Sequence, residues 1–237
     1  MKRRLLAALA ALICLLTACG QSPSAPAGET MQIPVLPAET QLPAETQLLP
    51  KTTAPEPAPE DFVRVLDYLP SACQELMYAT DRNFTGQTIY DFSDAYLRYG
   101  TVKKLTAVSE DLSELGLALK IWDGFRPVSA QRKLWEACPD PSFVANPETG
   151  FSSHSRGNTL DVTLVDKNGQ ELEMPTGFDD FSSKADRDYS DCTQDAAAHA
   201  QLLEILMEKH GFQGYSKEWW HFTDTDEYPV EEYFSPS

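Results

Sequence analysis

Four polar side chains in the second half of the chain are of the types that bind and use a divalent metal. His154 lies in the segment SSHSRG, Asp161 follows seven residues later, and His221 ends the motif EWWH. Two imidazoles and one carboxylate suit a catalytic zinc site that keeps one coordination position open for water. Glu218, the first residue of EWWH, would then serve as the base that takes a proton from that water.

A strand is expected to carry Asp161 into this group. The segment TLDVTLV at 159–165 alternates, so Asp161 and Thr163 share the face opposite Leu160, Val162 and Leu164. Ordinary solvent-exposed positions are the alternative to a site on that face. The turn DKNG that follows predicts a hairpin to a partner strand at 170–173. His154 precedes the strand in a loop, from which its side chain can reach back over the strand's start.

Glu218 and His221 pose a geometric problem. A final strand is predicted at 219–223, and residues three apart on a regular strand point to opposite faces. The two side chains can therefore share a site only through a bulge, a turn or a strand end.

The remaining elements follow from hydrophobic periodicity and from residues that cap or end helices. They are a helix from Tyr99 to Leu115 ended by Gly116, a strand at 117–122, a helix from Ser129 to Ala137 capped by Ser129, and a helix from Thr193 to His210 capped by Thr193. Helices mixed with mostly antiparallel strands indicate an α+β domain.

Three further polar residues have side chains that could act in chemistry. Arg126, held in the turn WDGFRP between Phe125 and Pro127, would stabilise an oxyanion; the alternative is an ordinary surface arginine. His199 lies in an alanine-rich helix and His210 in a helix's last turn, where a cation is favoured by the dipole. We expect structural positions for both histidines.

The first 60 residues are expected to lie outside the fold. Residues 1–18 combine a basic start with a short apolar run and predict a signal peptide, and LTAC at its end resembles a bacterial lipobox with Cys19 as the lipidated residue. An ordinary signal peptide or a retained anchor is the alternative. Residues 19–60 are proline-rich, repeat PAETQL in tandem and predict a disordered linker. The expected location is extracytoplasmic, on the bacterial cell membrane, with residues 61–237 as the catalytic domain.

Charge and cysteine content exclude two classes of site. The formal charge is −17, and loss of residues 1–18 removes three positive charges and no negative ones, which makes it −20. Nucleic acid is therefore not an expected partner, since phosphate binding needs a basic surface. Cys73, Cys138 and Cys192 form no CxxC pair, which argues against a zinc–thiolate site and leaves one disulfide plus one thiol, or three free thiols.

The motifs NFTG, DGFRP, SSHSRG with Asp161, FDDF and EWWH occur in the order seen in D-alanyl-D-alanine dipeptidases. Residues 62–234 thus resemble the VanX-type branch of the zinc D-Ala-D-Ala peptidases. The resemblance implies a hedgehog/D-Ala-D-Ala peptidase-like fold with a mostly antiparallel sheet flanked by helices, and one Zn²⁺ per chain.

The resemblance also implies roles for individual residues. The zinc ligands would be His154, Asp161 and His221, with Glu218 as catalytic base and Arg126 as the transition-state arginine. Ser152 would lie near the substrate, and Tyr78 and Asp179 would hold the free amino end of the dipeptide, with Asp180 as the alternative to Asp179.

The predicted activity is zinc-dependent hydrolysis of D-Ala-D-Ala, or a closely related short D-amino-acid dipeptide, to free D-alanine outside the cell. Its partners would be short D,D-peptides or cell-wall peptide fragments, and the membrane through the lipid anchor. The alternatives are a D,D-carboxypeptidase that trims peptidoglycan stem peptides, and an inactive, zinc-stabilised wall-binding module. Resistance dipeptidases of this type act in the cytoplasm, so an exported enzyme is not expected to confer vancomycin resistance.

Overall fold

The computed structural model of the protein describes residues 55–236. The predicted signal peptide, the lipidation site Cys19 and the linker up to residue 54 lie outside the described residues, so these predictions stay predictions. Within the described range, no helix has the length and hydropathy needed to cross a bilayer.

A five-stranded sheet forms the centre of the fold, with the strand order β2-β4-β5-β7-β6. Only the pairing of β2 with β4 is parallel, and β1 and β3 form a separate antiparallel pair. The strands are β1 (Phe62–Arg64), β2 (Cys73–Gln74), β3 (Tyr96–Arg98), β4 (Leu117–Asp123), β5 (Thr159–Asp166), β6 (Phe212–Tyr215) and β7 (Glu218–Asp224). With three helices beside these strands, the predicted α+β class with a mostly antiparallel sheet is confirmed.

The helices are α1 (Tyr99–Glu114), α2 (Val128–Ala137) and α3 (Gln194–Lys209). The apolar stripe of α1 is buried against the sheet as its periodicity predicts, but Leu115 lies beyond the helix end and is exposed. The Thr193 hydroxyl accepts the backbone N–H of Ala196, so the predicted cap of α3 is confirmed. The predicted cap by Ser129 is wrong. Pro127 precedes α2, since its fixed φ suits a helix start and its missing N–H costs nothing there.

Both faces of β5 are buried, so the alternative of an ordinary solvent-exposed face for Asp161 and Thr163 is excluded. β5 lies between β4 and β7, and every residue from Thr159 to Val165 is buried. Thr163 is fully buried, and its hydroxyl has no hydrogen-bond partner among the described residues. The predicted turn after β5 forms, but its partner strand at 170–173 reduces to one bridge between Val165 and Glu171 with two backbone hydrogen bonds beside it. β7 pairs with the other end of β5, from Thr159 to Asp161.

The cysteines and two of the histidines have positions away from the metal-binding group. All three cysteines of the domain are free thiols: Cys73, Cys138 and Cys192. The alternative with one disulfide is therefore wrong. His210 lies 2.6 Å from a carboxylate oxygen of Asp111 and links the end of α3 to α1. His199 donates a hydrogen bond to the Glu173 carbonyl.

Candidate active site

His154, Asp161 and His221 meet where β5 begins. Asp161 on β5 pairs directly with His221 on β7, and His154 lies on the single helical turn that precedes β5. Gly157 ends that turn with φ +77, a conformation that only glycine adopts at little cost. The sheet register and this turn together bring the three side chains to one point.

The distances within this group fit a tetrahedral metal. His154 Nε2 lies 3.3 Å from His221 Nδ1 and 3.5 Å from an Asp161 oxygen, and His221 Nδ1 lies 3.1 Å from the other Asp161 oxygen. Ligand atoms about 2.1 Å from a tetrahedral zinc are separated by about 3.4 Å. Three side chains with this spacing and chemistry can therefore hold one zinc ion.

The hydrogen bonds of the two imidazoles point their free nitrogens into this group. His154 Nδ1 donates to the Gly124 carbonyl at 2.9 Å, which leaves a lone pair on Nε2. His221 Nε2 lies 3.4 Å from the Ser153 hydroxyl and Nδ1 faces the other ligands. Outer contacts of this kind fix the tautomer of a metal-binding histidine. The lone pair of His154 Nε2 faces His221 Nδ1 and Asp161, so a bound cation at this point would contact all three side chains.

A bulge in β7 solves the geometric problem of EWWH. Gly214 of β6 pairs with Phe222, and the next residue, Tyr215, pairs with Glu218. Three residues of β7 therefore lie between two consecutive pairs, and the strand bends as bulged strands do. Glu218 is brought to the same side as His221, with its carboxylate 3.5 Å from His221 Nδ1.

Glu218 combines the position and the environment of a general base. Burial raises the pKa of Glu218, although the neighbouring His221 pulls in the opposite direction. A raised pKa brings a carboxylate nearer to the range in which it can take and return a proton at neutral pH. Asp161 differs, because His154 and His221 outweigh the effect of its burial and hold its pKa below the usual range. The two carboxylates thus have different proton affinities.

Arg126 is buried at the cavity wall and held by residues that the sequence did not single out. Asp123 accepts its Nε and Nη2 at 3.1 and 2.6 Å, and Gln131 accepts its Nη1 at 3.0 Å. Asp123 also accepts the Tyr90 hydroxyl. Asp123 lies in the DGFRP motif, whose Asp-Gly pattern predicts a turn and not a contact with Arg126. Gln131 carried no sequence signal, since its role depends on packing between α2 and the loop after β4.

Tyr78 and Asp179 form a second polar group across the cavity. The Tyr78 hydroxyl donates to Asp179 at 2.7 Å, and the Arg126 guanidinium lies over the Tyr78 ring at 4.9 Å. Burial raises the pKa of Asp179 well above its usual range. Asp180 is exposed and accepts the backbone N–H of Ser182, so Asp179 lines the cavity and Asp180 does not.

The eight predicted site residues line one cavity of about 300 Å³. They are Tyr78, Arg126, Ser152, His154, Asp161, Asp179, Glu218 and His221. This volume is at the lower limit of ordinary ligand pockets, which span about 300–1,000 Å³. Phe143, Phe151 and Tyr215 also line the cavity and are partly exposed, so its entrance is apolar while its interior is charged. The cavity suits a small, polar ligand.

A protein-family model described as D-Ala-D-Ala dipeptidase, Peptidase_M15, matches residues 59–236. The chain belongs to this family. Members are zinc metallopeptidases, and the metal-binding group, the adjacent glutamate and the charged cavity agree with that chemistry. The resemblance expected from the ordered motifs is thus confirmed at the level of the family.

Several curated relatives are D-alanyl-D-alanine dipeptidases. The Escherichia coli protein is 40% identical over 149 residues, 62% of this chain and 76% of the relative. The Enterococcus faecalis protein is 32% identical and covers 67% of this chain and 88% of the relative, and the Streptomyces coelicolor protein is 31% identical and covers 73% and 96%. Among solved structures, a mutant of the vancomycin-resistance D,D-pentapeptidase VanY with Zn(II) matches with a TM-score of 0.36 at 14% identity, over 56% of this chain and 74% of that one.

Proposed function

We propose that this chain hydrolyses D-alanyl-D-alanine, or a closely related short D,D-dipeptide, to free D-amino acids outside the cell. The observation that carries the proposal is the small cavity in which the metal-binding group and the partly buried Glu218 and Asp179 face a common space. A metal site and a base serve hydrolysis, and a second carboxylate serves recognition of a cation.

His154, Asp161 and His221 would hold one zinc ion. When bound, zinc supplies a Lewis acid that polarises the peptide carbonyl and makes water more acidic. Glu218 accepts the proton of the water that attacks the carbonyl carbon, and it returns that proton to the leaving nitrogen as the C–N bond breaks.

Arg126 is placed to stabilise the negative charge that develops on the carbonyl oxygen. Three of its N–H groups donate to Asp123 and Gln131, which leaves two of its five donors for a ligand in the cavity. Because Asp123 fixes the guanidinium plane, little reorganisation is needed when charge appears on the substrate.

Asp179 is the feature that favours a free dipeptide. Asp179 is partly buried, and burial is the main cause of its raised pKa. Among the described residues its carboxylate forms no ion pair, and the Tyr78 group that donates a hydrogen bond to it is an uncharged hydroxyl. A buried carboxylate without a cation is costly, and the ammonium group of a free dipeptide would remove that cost. A stem peptide places an uncharged amide at the same position.

The proposed location rests on the N-terminal sequence alone. The basic start, the apolar run and the LTAC motif support export and lipidation at Cys19, and the proline-rich residues 19–60 would connect the anchor to the domain. Short D,D-peptides released during cell-wall turnover are the substrates available to an enzyme in that position.

Turnover of four peptides by the wild-type protein tests the function. Free D-Ala-D-Ala should be hydrolysed, while L-Ala-L-Ala, N-acetyl-D-Ala-D-Ala and a muropeptide ending in D-Ala-D-Ala should be much poorer substrates. Preference for the muropeptide would replace the proposal with a D,D-carboxypeptidase. Binding of wall fragments without hydrolysis of any D,D-peptide would replace it with an inactive wall-binding module.

A further inference from the structure

Arg187 is a largely buried cation that contacts the backbone of both strands at the bulge, outside the catalytic cavity. Its Nε donates to the Tyr215 carbonyl of β6 at 2.8 Å, and its Nη2 donates to the carbonyls of Trp219 and His221 of β7 at 3.1 and 3.0 Å. No residue of β6 pairs with Trp219 or His221 in the described register. The guanidinium thus supplies donors that a regular ladder would have provided.

The surroundings of Arg187 are shaped to hold its guanidinium in this position. It lies over the Phe222 ring at 4.4 Å, and Nη1 lies 3.3 Å from a carboxylate oxygen of Glu204 on α3. A Cβ at Gly214 would overlap the guanidinium carbon and lie 2.6 Å from Nη2. The absence of a side chain at Gly214 therefore makes room for the guanidinium against the strand.

We propose that Arg187 is a positioning residue for the catalytic base. By binding the carbonyls on either side of the bulge, it fixes the bend that puts Glu218 on the same face as His221. The partner of His221 on β5 is Asp161, so the metal-binding group has its own support across that pair, whereas Glu218 depends on the bulge. The kinetic consequence rests on the proposed function, but the effect on the strand does not.

Substitution of Arg187 by methionine keeps most of the side-chain volume and removes every donor. Because a displacement of about 1 Å can reduce turnover about 100-fold, we expect kcat for D-Ala-D-Ala to fall about 100-fold. KM should change less than about threefold, and metal analysis should still give one zinc per chain. The matched control is Arg132→Met, which removes an exposed arginine paired with Glu148 on the surface. It should leave both constants unchanged.

Arg187→Lys separates the charge from the shape of the side chain. A lysine keeps the positive charge near Glu204 but cannot reach three carbonyls with a planar fork. We expect kcat to stay at least about tenfold below that of the wild type. A lysine variant with wild-type kcat would overturn the proposal, because the charge alone would then suffice.

Hydrogen–deuterium exchange provides a readout that does not depend on activity. In Arg187→Met, amides of residues 214–221 should exchange faster while those of α1 and β4 keep their wild-type rates. Uniformly faster exchange would mean that Arg187 only stabilises the whole fold, and the proposal would fail. If the wild type shows no D,D-dipeptidase activity while Arg187→Met shows this local pattern, the proposed function is refuted. The inference that Arg187 holds the bulge would still stand.

Gly214→Ala tests the same contact from the opposite side, also if Arg187→Met folds poorly. The added methyl group should displace the guanidinium and lower kcat in the wild-type background. In the Arg187→Ala background it should have little further effect, since the overlapping group is gone. Fully additive losses in the double variant would show that Gly214 and Arg187 act independently, which contradicts the proposal.

Discussion

At the scale of single residues, two partly buried carboxylates of the cavity differ in what surrounds them. Glu218 lies beside His221 and its pKa is raised mainly by burial. Asp179 lies across the cavity, where burial raises its pKa and the Tyr78 hydroxyl opposes the shift. In the proposed function Glu218 moves a proton and Asp179 meets a cation, so substitutions of the two should affect kcat and KM differently.

Glu218→Gln should abolish most hydrolysis without loss of the metal. Removal of a general base costs about 10²–10⁴-fold in rate, and we expect kcat for D-Ala-D-Ala to fall within this range. Zinc content should stay at one per chain, measured by elemental analysis, because His154, Asp161 and His221 are unchanged. The control is Glu75→Gln, which alters a glutamate paired with Lys120 away from the cavity. A Glu218→Gln variant with wild-type kcat would exclude this residue as the base.

Asp179→Asn should weaken binding of the free amino end. The loss of a buried charge contact costs about 2–5 kcal/mol, so kcat/KM for D-Ala-D-Ala should fall at least about 30-fold. The low rate with N-acetyl-D-Ala-D-Ala, which has no ammonium group, should be nearly unchanged. Equal losses for both peptides would show that Asp179 does not recognise the amino end.

The same residue predicts a pH dependence with a definite sign. Because the folded-state pKa of Asp179 is raised, the carboxylate becomes protonated on acidification before an ordinary aspartate would. The wild-type kcat/KM should therefore fall as the pH drops through that raised value, and Asp179→Asn should lack this component. The pH dependence of stability has the opposite sign. The wild type becomes less stable as the pH rises through the raised pKa, because folding then places a charged carboxylate at this partly buried position. At neutral pH, Asp179→Asn should therefore melt at a higher temperature than the wild type.

The sequence identified the residues that do chemistry better than the residues that support them. Side-chain types such as those of His154 and Glu218 are visible in short motifs, and the structure brings all eight predicted residues to one cavity; their individual roles stay predictions. Asp123, Gln131 and Arg187 were missed as supporting residues. Asp123 and Gln131 lie close in sequence to Arg126, but Tyr90 is distant from Asp123, and Gln131 and Arg187 bind backbone carbonyls, which carry no residue-type signal.

At the scale of elements, β7 is fixed at both of its ends. Arg187 contacts the bulge near Glu218, and at the opposite end the buried Asp224 accepts the Thr101 hydroxyl at 2.7 Å and pairs with Lys104 of α1. The second contact joins the strand to a helix but touches none of the cavity-lining residues. Stability and catalysis should therefore be separable along one strand.

Asp224→Ala should destabilise the fold and spare catalysis. It leaves Lys104 and Thr101 without their buried partner. We expect the free energy of unfolding to fall by about 3 kcal/mol, the lower end for a broken buried ion pair, because Lys104 is partly exposed and can turn to water. Urea unfolding measures the loss, and kcat at a temperature where the variant is folded should stay within about threefold of wild type. Lys103→Ala, on the same helix but exposed, should cost less than about 0.5 kcal/mol. Losses of equal size in the two variants would contradict this view of the strand.

Element boundaries were predictable where the local signal was strong, as for α3 with its Thr193 cap. They were not predictable where tertiary structure decided. Alternation in β5 does not reveal that Thr163 is buried. The segment after its turn, where the sequence predicts a strand, pairs with β5 through a single bridge. For the bulge of β7, the sequence offers only three alternatives: a bulge, a turn or a strand end.

At the scale of the whole molecule, the metal-binding group joins a turn and two strands. Removal of zinc should therefore lower the stability of the fold and not only its activity. At free zinc about 100 times Kd, binding contributes about 2.7 kcal/mol, which corresponds to roughly 5–10 °C in melting temperature for a domain of this size. Chelation should lower the melting temperature by this amount, and added zinc should restore it. Asp161→Asn should melt at a temperature that does not respond to the chelator; a strong response there would place the metal elsewhere.

The proposed anchor is tested on the intact chain. Wild-type protein made in a bacterial host should incorporate radiolabelled palmitate and sediment with membranes, since lipidation at Cys19 is expected. Cys19→Ser should incorporate none. Cys14→Ser is the matched control, because Cys14 lies in the segment that would be cleaved off, and its labelling should equal that of wild type. Labelling that survives Cys19→Ser would exclude this lipidation site.

The three unpaired thiols have a practical meaning for a protein predicted to work outside the cytoplasm. Cys73, Cys138 and Cys192 place no covalent cross-link on the described fold. Correct assembly of the domain therefore requires neither an oxidising compartment nor a disulfide isomerase. The enzyme should reach the same folded form in a reducing cytosol, and a phosphine reductant should leave it intact.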